Sequence, residues 1–276
     1  MVYLDRIIRQ ALEEDLREGD VTSQLLIDAD AITTANIIAK EDFIVAGVSI
    51  AKRVFEILDM NISINVILPD GSEAKTGEKV ISLEGGLRSI LAGERVALNF
   101  LQHLSAIATV TNKFAKIANK HGVNIVDTRK TTPNLRFLEK EAVVSGGGKN
   151  HRMGLYDRIL IKDNHITYCD GSIARAVKKA KDGNTINVEI EVETKNLDEV
   201  KEAVKAGADI IMFDNMPVKM VKAAKKIVNK KALTEVSGGI NLKNIEEYAK
   251  AKPDYISIGA LTHSAGSVDI TLLIED

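Results

Sequence analysis

The chain of 276 residues holds a single cysteine, Cys169, which excludes an internal disulfide and a cysteine-built zinc site and fits a reducing cytoplasm. It lacks any apolar run near the roughly 18 residues that a bilayer-spanning helix needs. The first residues, MVYLDRIIRQALEEDL, carry charges at helical spacing throughout, so neither a signal peptide nor a membrane anchor is expected there. Net charge is also scarce: 37 Lys and Arg stand against 39 Asp and Glu, for −2, with no basic tail, which argues against nucleic acid as a partner.

Against that balance, residues 127–165 stand out: DTRKTTPNLRFLEKEAVVSGGGKNHRMGLYDRILIKDNH. Eight Lys and Arg and two histidines here face five acids, and such a local excess attracts a small, highly charged ligand. Apolar runs precede the polar residues in VNIVDTRK and RILIKDNH, so the charges sit where strands end, the usual ligand side of α/β sheets.

The organisation reads as two parts. Residues 3–17 have a helical apolar face closed by Gly19, and short apolar or alternating runs follow at 31–39, 42–47, 62–71 and 79–85. The last two flank a Pro69-Asp70-Gly71 turn, and this first part reads as an α+β layer. Residues 89–120 are helical in pattern, long for one globular helix, so a bend or break is expected near Ser105, with Gly122 as the stop. Beyond it, apolar runs end at Asp127, Asp163, Glu191, Asp214, Ser237 and Gly259, the last three intervals being 23, 23 and 22 residues. That is β/α repeat spacing, too short for the eight units of about 250 residues. Six strands fit, as an incomplete α/β barrel or an open parallel sheet, and the polar residue after each run favours a barrel mouth.

Several motifs carry chemistry at those strand ends. Arg129 and Lys130 follow the first strand, His151 and Arg152 follow Gly146-Gly147-Gly148, and Lys162 ends the next run. Arginine can clamp a carboxylate or phosphate with two parallel hydrogen bonds, and the glycines would let backbone approach a ligand. Glu189, Glu191 and Glu193 alternate with apolar residues, which puts all three on one sheet face. Inward-facing acids must be paired or metal-bound, and with Asp214 they could share Mg²⁺ or hold sugar hydroxyls; the plainer alternative is an outward acidic strand paired with lysines. Ser237-Gly238-Gly239 and Gly259-Ala260 would form a phosphate cup of backbone N–H groups, with His263 beside it. Arg95, on the polar side of the long helix with Asn99 and Gln102, reads as an ordinary exposed charge. His103, His121 and Cys169 show no ligand spacing.

The strings GDVTS (19–23), ERVALNFLQHLSAIAT (94–109), DTRKTTP (127–133), GGGKNHRMGLYDRILIKDNH (146–165), MFDN (212–215), SGGI (237–240) and SIGALTHS (257–264) resemble the quinolinate phosphoribosyltransferases, the decarboxylating nicotinate-nucleotide pyrophosphorylases. The likeness covers almost the whole chain. It implies an N-terminal α/β sandwich, residues 1–104 joined by the tail 265–276, and an incomplete six-stranded α/β barrel, residues 105–264. The implied reaction converts quinolinate and 5-phosphoribosyl 1-diphosphate to nicotinate mononucleotide, diphosphate and CO₂, with Mg²⁺, in de novo NAD biosynthesis. It also implies a cytoplasmic homodimer in which Arg95 reaches the neighbour's site. By matching positions, Arg129, His151, Arg152 and Lys162, with the partner's Arg95, would hold the two carboxylates of quinolinate. Lys130 and Lys162 would face the diphosphate, Glu191 and Asp214 would hold Mg²⁺ and the ribose hydroxyls, and Ser237, Gly238, Gly259 and His263 would cup the 5′-phosphate.

The departures from the family pattern are few. Asn134 stands for a usual glycine and can adopt a left-handed backbone; Glu141 replaces an aromatic and Ala106 a glycine. Two extra residues, Thr194 and Lys195, make Glu193 an alternative to the preferred Glu191. The paired acids and Thr/Gly loop of the common phosphoribosyltransferase fold are absent, so the phosphosugar would be handled on a different scaffold. Rival readings are a paralogue acting on another acid, a Schiff-base aldolase using Lys162, and a non-catalytic phosphosugar-binding barrel.

Overall fold

The computed structural model describes residues 2–275. In chain order the strands are β1 (Ile32–Ala39), β2 (Phe43–Ile44), β3 (Ser63–Val66), β4 (Glu73–Ala74), β5 (Lys79–Gly86), β6 (Asn124–Val126), β7 (Ile159–Ile161), β8 (Ile190–Thr194), β9 (Ile210–Asp214), β10 (Leu233–Ser237), β11 (Tyr255–Ser257) and β12 (Ile270–Ile274). The helices are α1 (Val2–Leu16), α2 (Val21–Leu26), α3 (Val48–Leu58), α4 (Leu87–Ala118), α5 (Arg136–Ser145), α6 (Asp163–Tyr168), α7 (Ile173–Gly183), α8 (Leu197–Ala206), α9 (Val218–Val228), α10 (Ile245–Ala249) and α11 (Ala260–His263). No helix is long and apolar enough to cross a membrane among the described residues.

Two compact units result. The first comprises Met1–Asn112, Thr132–Gly147 and Ser264–Asp276, and the second Lys113–Thr131 and Gly148–His263. Ser105, where the second part was expected to begin, lies inside α4, which gives residues 87–112 to the first unit and 113–118 to the second. The Ser105 hydroxyl donates to the Ala46 carbonyl at 3.2 Å and accepts from the Ala46 N–H at 3.0 Å, while Thr109 Oγ1 accepts from Ile44 N–H at 2.9 Å. Gly146, at the end of α5, packs so tightly on α4 that an added Cβ would stand 2.4 Å from the Ala108 carbonyl oxygen. Residues 105–112 and α5 therefore share the first unit's interior.

The expected interruption near Ser105 is absent: α4 runs for 32 residues without a break. A buried serine can weaken a helix by competing for its carbonyls, but this hydroxyl is occupied by Ala46. The helix ends in a 3₁₀ turn closed by Gly122, whose φ of +73° suits glycine.

In the first unit, β12, β1, β5 and β3 form an antiparallel sheet in that order, and β2 pairs with β4. The C-terminal tail enters through β12, which places Ile270 opposite Ala39 and Ile274 opposite Ala35. Ala35, Ile37, Ile81 and Leu83 are fully buried on the central strands, with Ile50, Val54 and Phe55 of α3 equally so. The turn at Pro69 is closed by Ser72 N–H donating to the Pro69 carbonyl, with Gly71 at φ +86°.

In the second unit the six parallel strands are ordered β6-β11-β10-β9-β8-β7, a barrel-like sheet whose terminal members are β6 and β7. Helices α7, α8 and α9 pack on β8, β9 and β10. Ile190, Val192, Ile211, Phe213 and Val236 are buried, and the residues alternating with them point the other way. That alternation delivers polar side chains to the barrel interior.

Candidate active site

A cavity of about 420 Å³ opens in the second unit, walled by Thr128, Arg129, Lys130, His151, Arg152, Leu160, Lys162, Glu193, Met212, Asp214, Glu235, Ser237 and Ser257. All six strands contribute, either directly or through the residues that follow them. The sequence-derived Arg129, Lys130, His151, Arg152, Lys162, Asp214 and Ser237 are thus brought together.

The cationic side is built by local backbone bonding. Asp127, fully buried after β6, accepts the His151 N–H on Oδ1 at 2.9 Å, which ties the segment after the glycines to the end of β6. Lys149 N–H donates to Ile125 and its carbonyl accepts from Asp127, extending that tie. The triple glycine itself does not line the cavity, contrary to expectation: Gly146 serves helix packing and Gly147, at φ +87°, the turn after α5. Arg152 is 8% exposed and donates from Nη1 to the Arg158 carbonyl at 3.2 Å. Burial, and next the charge of Arg129, pull the Arg152 guanidinium below its ordinary pKa. Arg129 Nε is buried without a hydrogen-bond partner. Two guanidiniums held against their mutual repulsion, one with an unused buried donor, make a site for an anion.

His151 has a fixed tautomer. Its Nδ1 accepts the Arg152 N–H at 2.8 Å, and a main-chain N–H only donates, so the ring proton sits on Nε2, 3.0 Å from Glu191 Oε2. Both ring nitrogens are therefore engaged by the protein, while the residue also lines the cavity.

The acids of β8 occupy three different levels. Glu189 is half exposed and pairs with Arg158 Nη2 at 3.0 Å, while Glu191 is fully buried and lies 3.4 Å from Arg158 Nη1. Burial pushes the Glu191 carboxyl up, but the His151 hydrogen bond and the Arg158 charge outweigh it and hold the carboxyl below its ordinary value. Glu193 alone of the three lines the cavity, where it pairs with Lys162. Glu191, the preferred metal carboxylate from sequence, lies deeper, between His151 Nε2 at 3.0 Å and Arg158 Nη1 at 3.4 Å, and its alternative Glu193 stands at the wall. Asp214, on the adjacent strand, is a cavity wall and accepts from Asn215 Nδ2 at 3.0 Å.

Gly238 and Gly259, which follow the last two strands, lie beside the walls, while Ser237 is one of them. Gly238 has φ +96°, and a Cβ there would meet Asn215 Oδ1 at 2.2 Å, so only glycine fits. Gly259 nestles against Lys130 Cδ and His263, and Thr262 Oγ1 donates to the Lys130 carbonyl at 2.7 Å. Glu235, Met212, Leu160, Ser257 and Thr128 were not singled out from sequence. The first four face inward by the same alternation as Glu191, so the signal was available in TEVS, IIMFD, ILI and YIS.

Arg95 belongs to the first unit, with a side chain 60% exposed and Glu94 Oε1 3.8 Å from its Nη2. His103, given no role from sequence, bonds through Nε2 to the fully buried Glu139 at 2.9 Å, and Glu139 also accepts the Thr132 N–H at 3.1 Å. Asn134, in the same segment, has φ +66°, the conformation for which the family's usual glycine suits the position.

Residues 20–105 match the model of the quinolinate phosphoribosyl transferase N-terminal domain, and residues 107–273 that of its C-terminal domain. The chain belongs to the quinolinate phosphoribosyl transferase family. Among relatives, the probable carboxylating nicotinate-nucleotide pyrophosphorylase of Bacillus subtilis (strain 168) is 44% identical over 98% of this chain and 93% of its own. NadC from Streptococcus pyogenes superposes with a TM-score of 0.95 at 38% identity, covering 99% of this chain and 97% of that one. The nicotinate-nucleotide pyrophosphorylase from Francisella tularensis gives 0.93 at 42% identity, covering 99% and 96%. The family's two-part fold, a barrel-like parallel sheet beside an antiparallel sheet in sequence, is the fold found here.

Proposed function

We propose that this family member transfers a phosphoribosyl group from 5-phosphoribosyl 1-diphosphate to the ring nitrogen of quinolinate and releases CO₂, giving nicotinate mononucleotide for NAD biosynthesis. One observation carries the assignment to this cavity: Arg129 and Arg152 are held together on one side of it, with Glu193 and Asp214 among its other walls. A dianionic acid fits the guanidiniums, and ribose hydroxyls fit the carboxylates. The residue set suits one anionic ring and one phosphosugar in the same space.

Arg129 and Arg152 would clamp the two carboxylates and hold the pyridine nitrogen towards C1 of the ribose, a contribution of positioning. Leu160 and Met212 supply apolar walls for a flat ring. Lys130 and Lys162 would balance the departing diphosphate, and Ser237, Gly238, Gly259 and His263 would receive the 5′-phosphate. Glu193 and Asp214 are oxygen donors on adjacent strands, the donor type that Mg²⁺ takes, and would hold it. The metal would supply charge neutralisation of the diphosphate. Once the nitrogen is alkylated its positive charge stabilises the electron pair left at C2 by CO₂ loss, so no organic cofactor is required.

The proposal extends to a cytoplasmic homodimer, supported by Arg95, whose side chain is 60% exposed and only loosely paired with Glu94 at 3.8 Å. An aldolase reading is disfavoured because Lys162 Nζ is engaged by Glu193 and does not stand free in an apolar pocket. The test is to mix protein, quinolinate, 5-phosphoribosyl 1-diphosphate and Mg²⁺. Equal yields of nicotinate mononucleotide and CO₂ are expected; binding of the phosphosugar without product would move the assignment to a different acid.

A further inference from the structure

The parallel sheet brings two chain segments side by side next to the cavity. β6 and β11 are adjacent, with Val126 opposite Ser257, and Ile258 N–H donates to the Val126 carbonyl at 3.0 Å. The residues after the two strands therefore leave the sheet together. Those after β6 carry Arg129 and Lys130, and those after β11 turn into α11. These neighbouring exits explain how Thr262, 132 residues away in sequence, meets Lys130.

The two lysines of the cavity wall are held differently. Lys162 pairs through Nζ with Glu193. Lys130 has no ion pair among the described residues, and what is fixed instead is its main chain. Its N–H donates to Thr128 Oγ1 at 3.1 Å, and its carbonyl accepts from Thr262 Oγ1 at 2.7 Å. The stem lies against Gly259, where an added Cβ would stand 2.9 Å from Lys130 Cδ. A lysine stem is flexible and its ammonium a compact point charge, so the direction in which it leaves the main chain decides what it can reach.

Thr262 is 4% exposed, so its hydroxyl needs a partner inside the protein. A helical threonine ordinarily bonds back to a carbonyl of its own preceding turn. Here that acceptor, the Gly259 carbonyl, is 3.2 Å away, and the Lys130 carbonyl at 2.7 Å is the nearer one. We infer that Thr262 is a positioning residue: its hydroxyl fixes the Lys130 main chain so that the ammonium is aimed at the departing diphosphate. The next residue, His263, is among those assigned to the 5′-phosphate. One short helix thus sets the cation for the leaving group and a contact for the other end of the phosphosugar, and their adjacency in sequence fixes the spacing between the two.

This inference rests on the proposed phosphoribosyl transfer, and the experiment separates the two. Formation of nicotinate mononucleotide by the wild-type protein tests the reaction. Binding of inorganic diphosphate with Mg²⁺, followed by calorimetry, tests Thr262 whichever acid is the acceptor. Thr262→Val keeps the shape and removes the hydroxyl, and should weaken diphosphate binding roughly 3- to 10-fold, the scale of one hydrogen bond. Thr262→Ser keeps the hydroxyl and should stay within about twofold of wild type. Lys130→Ala should itself bind diphosphate more weakly, and adding Thr262→Val to it should cause no further loss. In turnover, Thr262→Val should lower kcat and leave the quinolinate KM unchanged. Equal losses in the Val and Ser variants, a loss that persists in the Lys130→Ala background, or wild-type binding by Thr262→Val or by Lys130→Ala overturns the role, as does a wild type that binds no diphosphate. Should Thr262→Val not fold, Thr262→Ala is compared with Thr262→Ser by the same criteria.

Discussion

Arg158 reaches Glu191 at 3.4 Å inside the barrel and Glu189 at 3.0 Å, so one guanidinium faces two of the three alternating carboxylates. Glu193, two residues on, is left to do chemistry at the wall. Glu193→Gln should therefore raise the Mg²⁺ concentration needed for half-maximal activity. Glu191→Gln should instead weaken folding by about 1–3 kcal/mol, because it removes the carboxylate that faces His151 Nε2 and one of the two that face Arg158. Mg²⁺ titrations of rate and urea denaturation of both variants separate these outcomes, and a reversed pattern would return the metal to Glu191.

Arg129→Ala removes half of the paired-guanidinium site together with its unpartnered Nε donor. Quinolinate kcat/KM should drop on the order of 10²-fold, the scale of lost charge-assisted hydrogen bonds. Near-normal steady-state kinetics would remove Arg129 from the clamp.

Stability should depend on pH through Glu235. Its folded-state pKa is raised, so the folded chain binds a proton that the unfolded chain releases above the usual carboxylate pKa. Stability from this group is complete below that value and is lost as pH rises towards the folded pKa. Glu191 has the opposite sign: its depressed pKa gives stability at higher pH that is lost as pH falls through the folded value. Glu235→Gln should abolish the decline on the alkaline side, read as a flatter plot of urea midpoint against pH. An unchanged slope would mean that Glu235 is ionised in the folded state.

If Arg95 completes the site of a second copy, Arg95→Ala and Arg129→Ala are each inactive for a different reason. Mixed dimers then hold one site with both defects and one with neither. Random mixing after reversible dissociation should restore roughly a quarter of wild-type activity. No recovery, in a mixture shown to exchange subunits, would confine Arg95 to its own chain.

Gly146→Ala would drive a methyl to 2.4 Å from the Ala108 carbonyl oxygen. Overpacking of this kind costs about 1–3 kcal/mol. A lowered melting temperature with unchanged KM for both substrates is expected; a raised KM with unchanged melting would assign the glycine to ligand approach.

Much of this was legible in the chain. The β/α spacing located the strand ends Asp214 and Ser237 to the residue, because period-2 alternation and regular repeats are local properties. Arg129, Lys130 and Arg152 were found because charge after an apolar run is conspicuous. Glu235 escaped because an acid inside TEVS looks like any strand polar group until the opposite strands show what it faces. The different surroundings of Glu191 and Glu193 depend on Arg158, which lies over thirty residues away in sequence. The continuity of α4 through Ser105 depended on Ala46, a partner that no local pattern reveals. Gly146 misled for the same reason: sequence shows that a residue is small, not which neighbour requires it.

The two terminal strands of the six-stranded sheet, β6 and β7, are three residues each, and Lys149 occupies part of the free side of β6. Three rungs give a poor template for strand-to-strand growth, which needs long, flat, unpaired edges. A sheet that stops short of closing thus keeps its open ends too brief to recruit other chains. Lengthening β7 with β-branched residues is the change that would put solubility at risk before it touched catalysis.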